Sequence, residues 1–220
     1  MNLFDILGPI MVGPSSSHTA GAVRIGRVTM KLLGSVPKKA EIYLHGSFAD
    51  TGVGHGTDKA LIAGLLGMEP DDMRIPQSME IAKEMGVDFC FREKHFREAH
   101  PNTAYLRVVD SNGKKLELQA CSIGGGRILI NEIDGIRADF NGDKPTLIVR
   151  NEDKPGHVAF VTTTLANAGI NVATLVLNRS KRGGDAVIVI ETDMNIPIEA
   201  IKEIENVSGI HKVTYLNLQE

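Results

Sequence analysis

The C-terminal third of the chain is regular in its alternation of apolar and polar positions. An apolar run at 146–149 is followed by the polar loop NEDKPG at 151–156, after which Val158, Val161, Leu165 and Ala168 recur at the spacing of one helical face. Gly169 stops that helix, because glycine tolerates the left-handed backbone of a helix end. Residues 170–177 then read as a strand in which Val172, Thr174 and Val176 alternate with Ala173, Leu175 and Leu177. The turn SKRGGD at 180–185 leads into a strand over 186–191, a natural hairpin. Pro197 opens a second helix with Ile198, Ile201 and Ile204 on one face, and Gly209 precedes a last strand at 210–216. The predicted order is βαββαβ.

The first 140 residues are less regular. Helices are predicted at 20–33, 59–66 and 78–85, and strands at 40–45, 104–109, 115–120 and 127–130, with SNG at 111–113 as a hairpin turn. DFNGDKP at 139–145 is the best linker candidate, dividing the chain into domains at 1–142 and 145–220. The first is expected to be an α/β domain with a mixed sheet. The second has the ferredoxin-like arrangement, an antiparallel sheet with both helices on one face.

The segment RNEDKPGHVAFVTTTLANAGIN at 150–171, with Pro155-Gly156 opening the helix, resembles the ACT domain. That resemblance implies a small amino-acid effector held by Asn151, Asp153, Gly156 and His157. It also implies a homodimer formed through this domain, which would cover its sheet edge.

Composition narrows the function classes. A net charge of -3 gives no basic field for nucleic acid, and three Tyr, seven Phe and no Trp supply few stacking platforms, so nucleic acid is not expected as a partner. The longest apolar stretches, 61–68 and 186–190, fall well below the roughly 20 residues of a spanning helix, so no membrane association is expected. Residues 1–12 carry Asp5 and lack a basic n-region, so they read as part of the fold rather than as a secretory signal. With two cysteines, Cys90 and Cys121, the expected compartment is a reducing cytoplasm. Two thiols are also too few for an iron-sulfur cluster, which takes three or four.

Four polar patches exceed what the fold requires. In Gly13-Pro14-Ser15-Ser16-Ser17-His18-Thr19, set before a helix, one serine would suffice as a cap, and the remaining hydroxyls and His18 point to ligand contact. Thr51-Gly52-Val53-Gly54-His55-Gly56-Thr57-Asp58 reads as a glycine-rich loop leading into a helix, with His55 as an acid-base group and Thr57 as a ligand contact. Its glycines do not fit GxGxxG and no Walker lysine is present, which argues against a nucleotide. The third patch is His100-Pro101-Asn102-Thr103. The fourth, Ser122-Ile123-Gly124-Gly125-Gly126, sets a hydroxyl beside glycines suited to a backbone nest around a carboxylate. His45, His95 and His211 stand alone and read as surface or satisfied core residues.

GPSSSHT, TGxGHGTD, HPNT and SIGGG in this order, with the ACT-like segment behind them, resemble the beta chain of bacterial iron-sulfur L-serine dehydratases across nearly the whole sequence. The N-terminal region is also similar to the allosteric-substrate-binding domain of some phosphoglycerate dehydrogenases. The resemblance implies a lyase that converts L-serine to pyruvate and ammonia, with a [4Fe-4S] cluster on a separate alpha subunit acting as Lewis acid on the serine hydroxyl. This chain would then contribute His18, His55 and His100 as proton-transfer or orienting groups. Ser15, Ser16, Ser17, Thr57, Asn102, Ser122, Gly124 and Gly125 would bind the substrate. The alternative is a purely regulatory subunit that senses serine and takes no part in chemistry.

Overall fold

A computed structural model describes residues 10–218; the expectation that the N-terminal stretch belongs to the fold lies, for residues 1–9, outside the described residues. The chain divides into two compact units, residues 1–134 and 135–220.

In the first unit, a π-helical turn, Ser16–Ala20, runs directly into α1, Gly21–Leu33. Helix α1 ends at Gly34, whose φ of 97° allows its N–H to return to the Met30 carbonyl. The elements that follow are β1 (Lys39–His45), α2 (Ser47–His55), α3 (Thr57–Leu65), a 3-10 turn at Ile75–Gln77 and α4 (Ser78–Glu84). After them come β2 (Asp88–Glu93), β3 (Thr103–Val109), β4 (Lys115–Gly124) and β5 (Arg127–Ile133). Within this unit the strands run in the order β2-β1-β3-β4-β5. β1 pairs parallel with β2 and antiparallel with β3, so the sheet is mixed.

One face of the sheet is apolar and carries the helices. Ile25, Val28 and Leu32 of α1 and Leu61, Ile62 and Leu65 of α3 are buried with Leu106, Leu118, Ile128 and Ile130 of the strands. Each side chain of this size fully buried contributes roughly 1.5–3 kcal/mol relative to exposure. Helices α1 and α3 touch backbone to backbone: a Cβ on Gly26 would lie 2.4 Å from the Leu61 carbonyl oxygen, and one on Gly64 would lie 2.0 Å from that of Val23. Only glycine at both positions permits this approach, which fixes where the two helix N-termini stand.

Three elements differ from the sequence-based expectation. Thr51 to His55 is not a loop but the second half of α2, which starts at Ser47. Ser47, Thr51 and His55, four residues apart, occupy one face of it. Strand β2 went unpredicted because Asp88–Glu93 is a half-exposed edge whose alternation is weak. SIGGG does not follow its strand, since β4 runs through to Gly124 with a register irregularity between Ser122 and Gly124.

The second unit begins with β6 (Ile136–Phe140), which occupies part of the stretch read as a linker. β7 (Thr146–Glu152), α5 (His157–Asn167), β8 (Val172–Arg179), β9 (Asp185–Thr192), α6 (Ile198–Glu205) and β10 (Ile210–Leu216) follow in the predicted βαββαβ order. The sheet order is β10-β7-β9-β8, with antiparallel pairing throughout. Leu147, Val149, Ile188, Ile190 and Val213 of the sheet pack against Val161 and Leu165 of α5 and Ile201 and Ile204 of α6. Both helices therefore share one face.

Candidate active site

The first polar patch is held open by its own cap. Ser15 is extended, with φ -139° and ψ 123°, and its Oγ accepts the His18 N–H at 3.3 Å. That satisfies one of the donors a helix start leaves orphaned. Ser16 takes part through its carbonyl, which accepts the Gly21 N–H. The wide π turn between them places His18 on the inner side of the chain, where only 8% of its surface remains exposed.

Hydroxyls surround both nitrogens of the His18 ring. Nδ1 lies 3.0 Å from Ser17 Oγ and 3.3 Å from Ser15 Oγ, while Nε2 lies 3.1 Å from Thr51 Oγ1 and 3.2 Å from Ser47 Oγ. A hydroxyl can donate or accept, so this shell accommodates either neutral tautomer. Phe48 packs edge-on against the ring, with centroids 5.3 Å apart. On the other side stands His55, with its ring centroid 5.0 Å from that of His18.

Burial of the imidazole holds His18 below the ordinary histidine value of about 6.5; a contact with Ser47 opposes the shift, and the charge His55 would carry adds to it. A folded-state pKa below the unfolded one means that the unfolded chain binds the proton more readily. The stabilisation is therefore present above about pH 6.5 and is lost as pH falls through that value toward the depressed folded one. Melting temperature should fall on acidification through this window, and His18→Gln should flatten that part of the profile. An unchanged slope in the variant would show that His18 is not the titrating group.

His55 is exposed, and its Nδ1 lies 3.1 Å from the Thr51 carbonyl oxygen. A carbonyl only accepts, so Nδ1 carries the hydrogen and Nε2 keeps the lone pair. His55 also borders a cavity of about 270 Å³. Gly13, Pro14 and Thr19 of the first patch line it, together with Gly54, His55 and Gly56 of the second, Lys59, and an apolar wall of Val12, Ile75 and Pro76.

None of the described residues of the other two patches lines this cavity. The Phe48 N–H donates to the Pro101 carbonyl at 3.4 Å, and a Cβ on Gly46 would lie 2.8 Å from the same oxygen, so HPNT buttresses the start of α2. His100 is exposed; its Nδ1 accepts the Asn102 N–H at 3.1 Å and its carbonyl accepts from Thr103 Oγ1 at 2.6 Å. Asn102 and Ser122 exchange two bonds, Ser122 N–H to the Asn102 carbonyl at 3.0 Å and Asn102 Nδ2 to the Ser122 carbonyl at 3.4 Å. Ser122 is fully buried beneath α1, where a Cβ on Gly21 would lie 2.2 Å from its Oγ. Gly124 and Gly125 have φ of 91° and 61° and face open space. Thr57 is fully buried, and its hydroxyl, like those of Thr19 and Ser122, has no hydrogen-bond partner.

The structure thus brings His18, His55 and the Ser15–Ser17 run together, while His100, Asn102 and Ser122 do not line the cavity and Ser122 lies against Gly21 at the end of the first patch's turn. Ser47, Thr51 and Lys59 join the site without having been singled out. The i, i+4, i+8 spacing of Ser47, Thr51 and His55 was the signal available for the first two. His45, set aside in the sequence, is buried and accepts the Phe96 N–H at 3.3 Å.

In the second unit, the loop after β7 is closed on itself. His157 Nδ1 lies 2.9 Å from the Glu152 carbonyl and Nε2 lies 3.1 Å from that of Ser208. Asn151 is buried with its Nδ2 on the Glu152 carbonyl at 2.6 Å, and its Oδ1 has no partner. Asp153 accepts from Gly183 N–H and Arg179, each at 2.9 Å, and these bonds hold its carboxyl below the usual range. Gly156, at φ 102°, turns the chain into α5.

The two cysteines are fewer than the three or four thiolates an iron-sulfur cluster takes. Cys90 lies on β2 and Cys121 is buried on β4, and among the described residues no group of three or more His, Cys, Asp or Glu could hold a metal. No helix of the described residues is long and apolar enough to cross a membrane.

Comparison with known proteins places the chain in a family. The family model of the serine dehydratase beta chain matches residues 2–133, and that of the ACT domain matches residues 145–209. A probable L-serine dehydratase beta chain of Bacillus subtilis is 43% identical over 97% of this chain and 96% of its own. The L-serine dehydratase beta chain of Peptoniphilus asaccharolyticus is 36% identical over 96% and 94%. A D-3-phosphoglycerate dehydrogenase of Methanocaldococcus jannaschii is 25% identical over 90% of this chain but only 37% of its own length. The chain belongs to the serine dehydratase beta chain family and carries an ACT domain behind its family domain.

Proposed function

We propose that the chain is one half of an L-serine ammonia-lyase and supplies substrate binding and proton handling, with His55 as the base. The observation that carries this reading is that His55, paired with His18, lines a cavity to which both of the first two polar patches contribute. Loss of the Cα proton and the β-hydroxide from L-serine leaves an enamine, which hydrolyses in water to pyruvate and ammonia. His55 Nε2, free because Nδ1 faces the Thr51 carbonyl, takes the Cα proton. His18 does not reach the substrate: it is a positioning residue that ties the Ser15–Ser17 turn to the Ser47–Thr51 face of α2 and so sets the His55 ring. Gly13, Thr19, Gly54 and Gly56 line the cavity that takes the substrate, and Ser15 and Ser17, which do not line it, hold the His18 ring.

Departure of the hydroxyl needs an electrophile on its oxygen, and no described group of this chain serves. That part falls to a separate alpha subunit, which would carry the [4Fe-4S] cluster. The supporting observation is that this chain has two cysteines, where a cluster takes three or four thiolates. Mixed anaerobically with the alpha chain, this chain should yield pyruvate and ammonia in equal amounts from L-serine. A mixture that binds serine and forms neither product would favour the purely regulatory reading.

Asn151, Asp153, Gly156 and His157 form the effector loop in this proposal. The second unit would also pair with its counterpart in a second copy, since β8 is an edge strand with Leu175 37% and Leu177 44% exposed. Sedimentation should report a dimer at tens of micromolar, and Leu175→Lys with Leu177→Lys should weaken it. A monomeric wild-type chain under those conditions would contradict the pairing.

A further inference from the structure

Among the described residues that line the cavity beside His55, none is acidic and one, Lys59, is a fixed cation. Lys59 is the third residue of α3, whose N-cap, Gly56, is left-handed at φ 70° and makes no side-chain capping bond. Lys59 and the Gly56 turn that starts a nine-residue helix therefore both line the cavity. The neighbouring carboxylate of Asp58 does not line it; its Oδ1 accepts the Lys59 N–H at 2.8 Å.

A second feature points to a ligand independently. Thr19 lines the same cavity and is 2% exposed, yet its Oγ1 has no hydrogen-bond partner among the described residues. A buried hydroxyl left so is costly and is rarely tolerated without purpose. The backbone accommodates it, because a Cβ on Gly13, at φ 152°, would lie 2.4 Å from that oxygen. Gly54 and Gly56, by contrast, leave open space where a Cβ would stand, so the cavity is accessible beside His55.

We infer that Lys59 anchors the carboxylate of a small α-amino acid in this cavity, with the Thr19 hydroxyl as a second donor, and so presents the Cα to His55. This role rests on the dehydratase reading and extends it to a residue outside the serine, histidine and glycine motifs. A carboxylate suits a cation at a helix start, where a charge-assisted hydrogen bond is stronger than a neutral one.

The test is Lys59→Met and Lys59→Arg in the assembled two-chain enzyme, each beside its thermal melt. Lys59→Met should raise KM for L-serine by about tenfold to a hundredfold, with a smaller change in kcat, as expected on losing a charge-assisted hydrogen bond made in ground and transition states alike. Lys59→Arg should stay within a few fold of wild type, and neither melt should move, since the side chain is exposed. An unchanged KM in Lys59→Met overturns the anchor while leaving the dehydratase reading intact. If the wild-type mixture forms no pyruvate, the dehydratase reading fails instead, and equilibrium dialysis of labelled L-serine against the same proteins decides the anchor. Retention by wild type but not by Lys59→Met supports it; equal retention, or none by wild type, overturns it.

Discussion

Replacing His55 by glutamine should lower L-serine turnover in the assembled enzyme by about a hundredfold or more, the loss expected on removing a general base. Folding should survive, because the ring is exposed and its one hydrogen bond, to the Thr51 carbonyl, runs along the surface of α2. Glutamine keeps a donor for that carbonyl but has no basic nitrogen, so a large loss in kcat with an unmoved melt separates chemistry from structure. Asn151→Ala in the loop after β7 provides the contrast. It should leave maximal turnover near that of wild type and change its dependence on serine concentration, since the loop belongs to the second unit. Near-normal turnover in His55→Gln, with the loss appearing in Asn151→Ala, would exchange the catalytic and regulatory assignments.

His100→Ala is a subtler case than its sequence suggests. Its Nδ1 accepts the Asn102 N–H, and the HPNT segment holds the start of α2 through the Pro101 carbonyl. Any effect of that substitution on turnover would pass through the placement of α2.

The second unit was legible almost element by element, because each helix buries one stripe against one sheet and each loop carries its own turn residues. The first unit was legible only where the same conditions held, as in α1 and α3. Helix α2 was not, since Thr51, Gly52, Gly54 and the preceding Ser47 are all weak helix formers, and what stabilises that helix is Phe48 in the core and the hydroxyl shell of His18. Strand β2 joins β1 in parallel across three intervening α-helices and a 3-10 turn, a pairing that no local alternation reveals. The polar excess of the first two patches pointed to His18 and His55, whose rings stand side by side, but the division of labour proposed between them follows from burial, which is a tertiary property. Ser122 shows the limit from the other side. Its hydroxyl beside three glycines suggests a carboxylate nest, yet the close passage of Gly21 buries it.

The largest effect expected of any manipulation is the all-or-none dependence on the partner. Cys90 and Cys121 stand on different strands of the first unit, β2 and β4, which β1 and β3 separate, so they cannot assemble even a partial thiolate set. The purified chain should therefore be colourless, should bind no stoichiometric iron, and should leave L-serine unchanged. The converse follows as well. An alpha chain that carries the cluster but lacks His55 and its cavity would have no base in place, and it should be nearly inactive alone. Adding this chain should restore activity without transfer of iron to it.

Pyruvate formation at a fixed concentration of anaerobically purified alpha chain, with this chain added from none to excess, examines that dependence directly. The rate should start near zero, climb with each addition and reach a plateau, and His55→Gln should bind the alpha chain yet hold the plateau near the baseline. A full rate from the alpha chain before any of this chain is added would contradict a catalytic half and leave only a regulatory one.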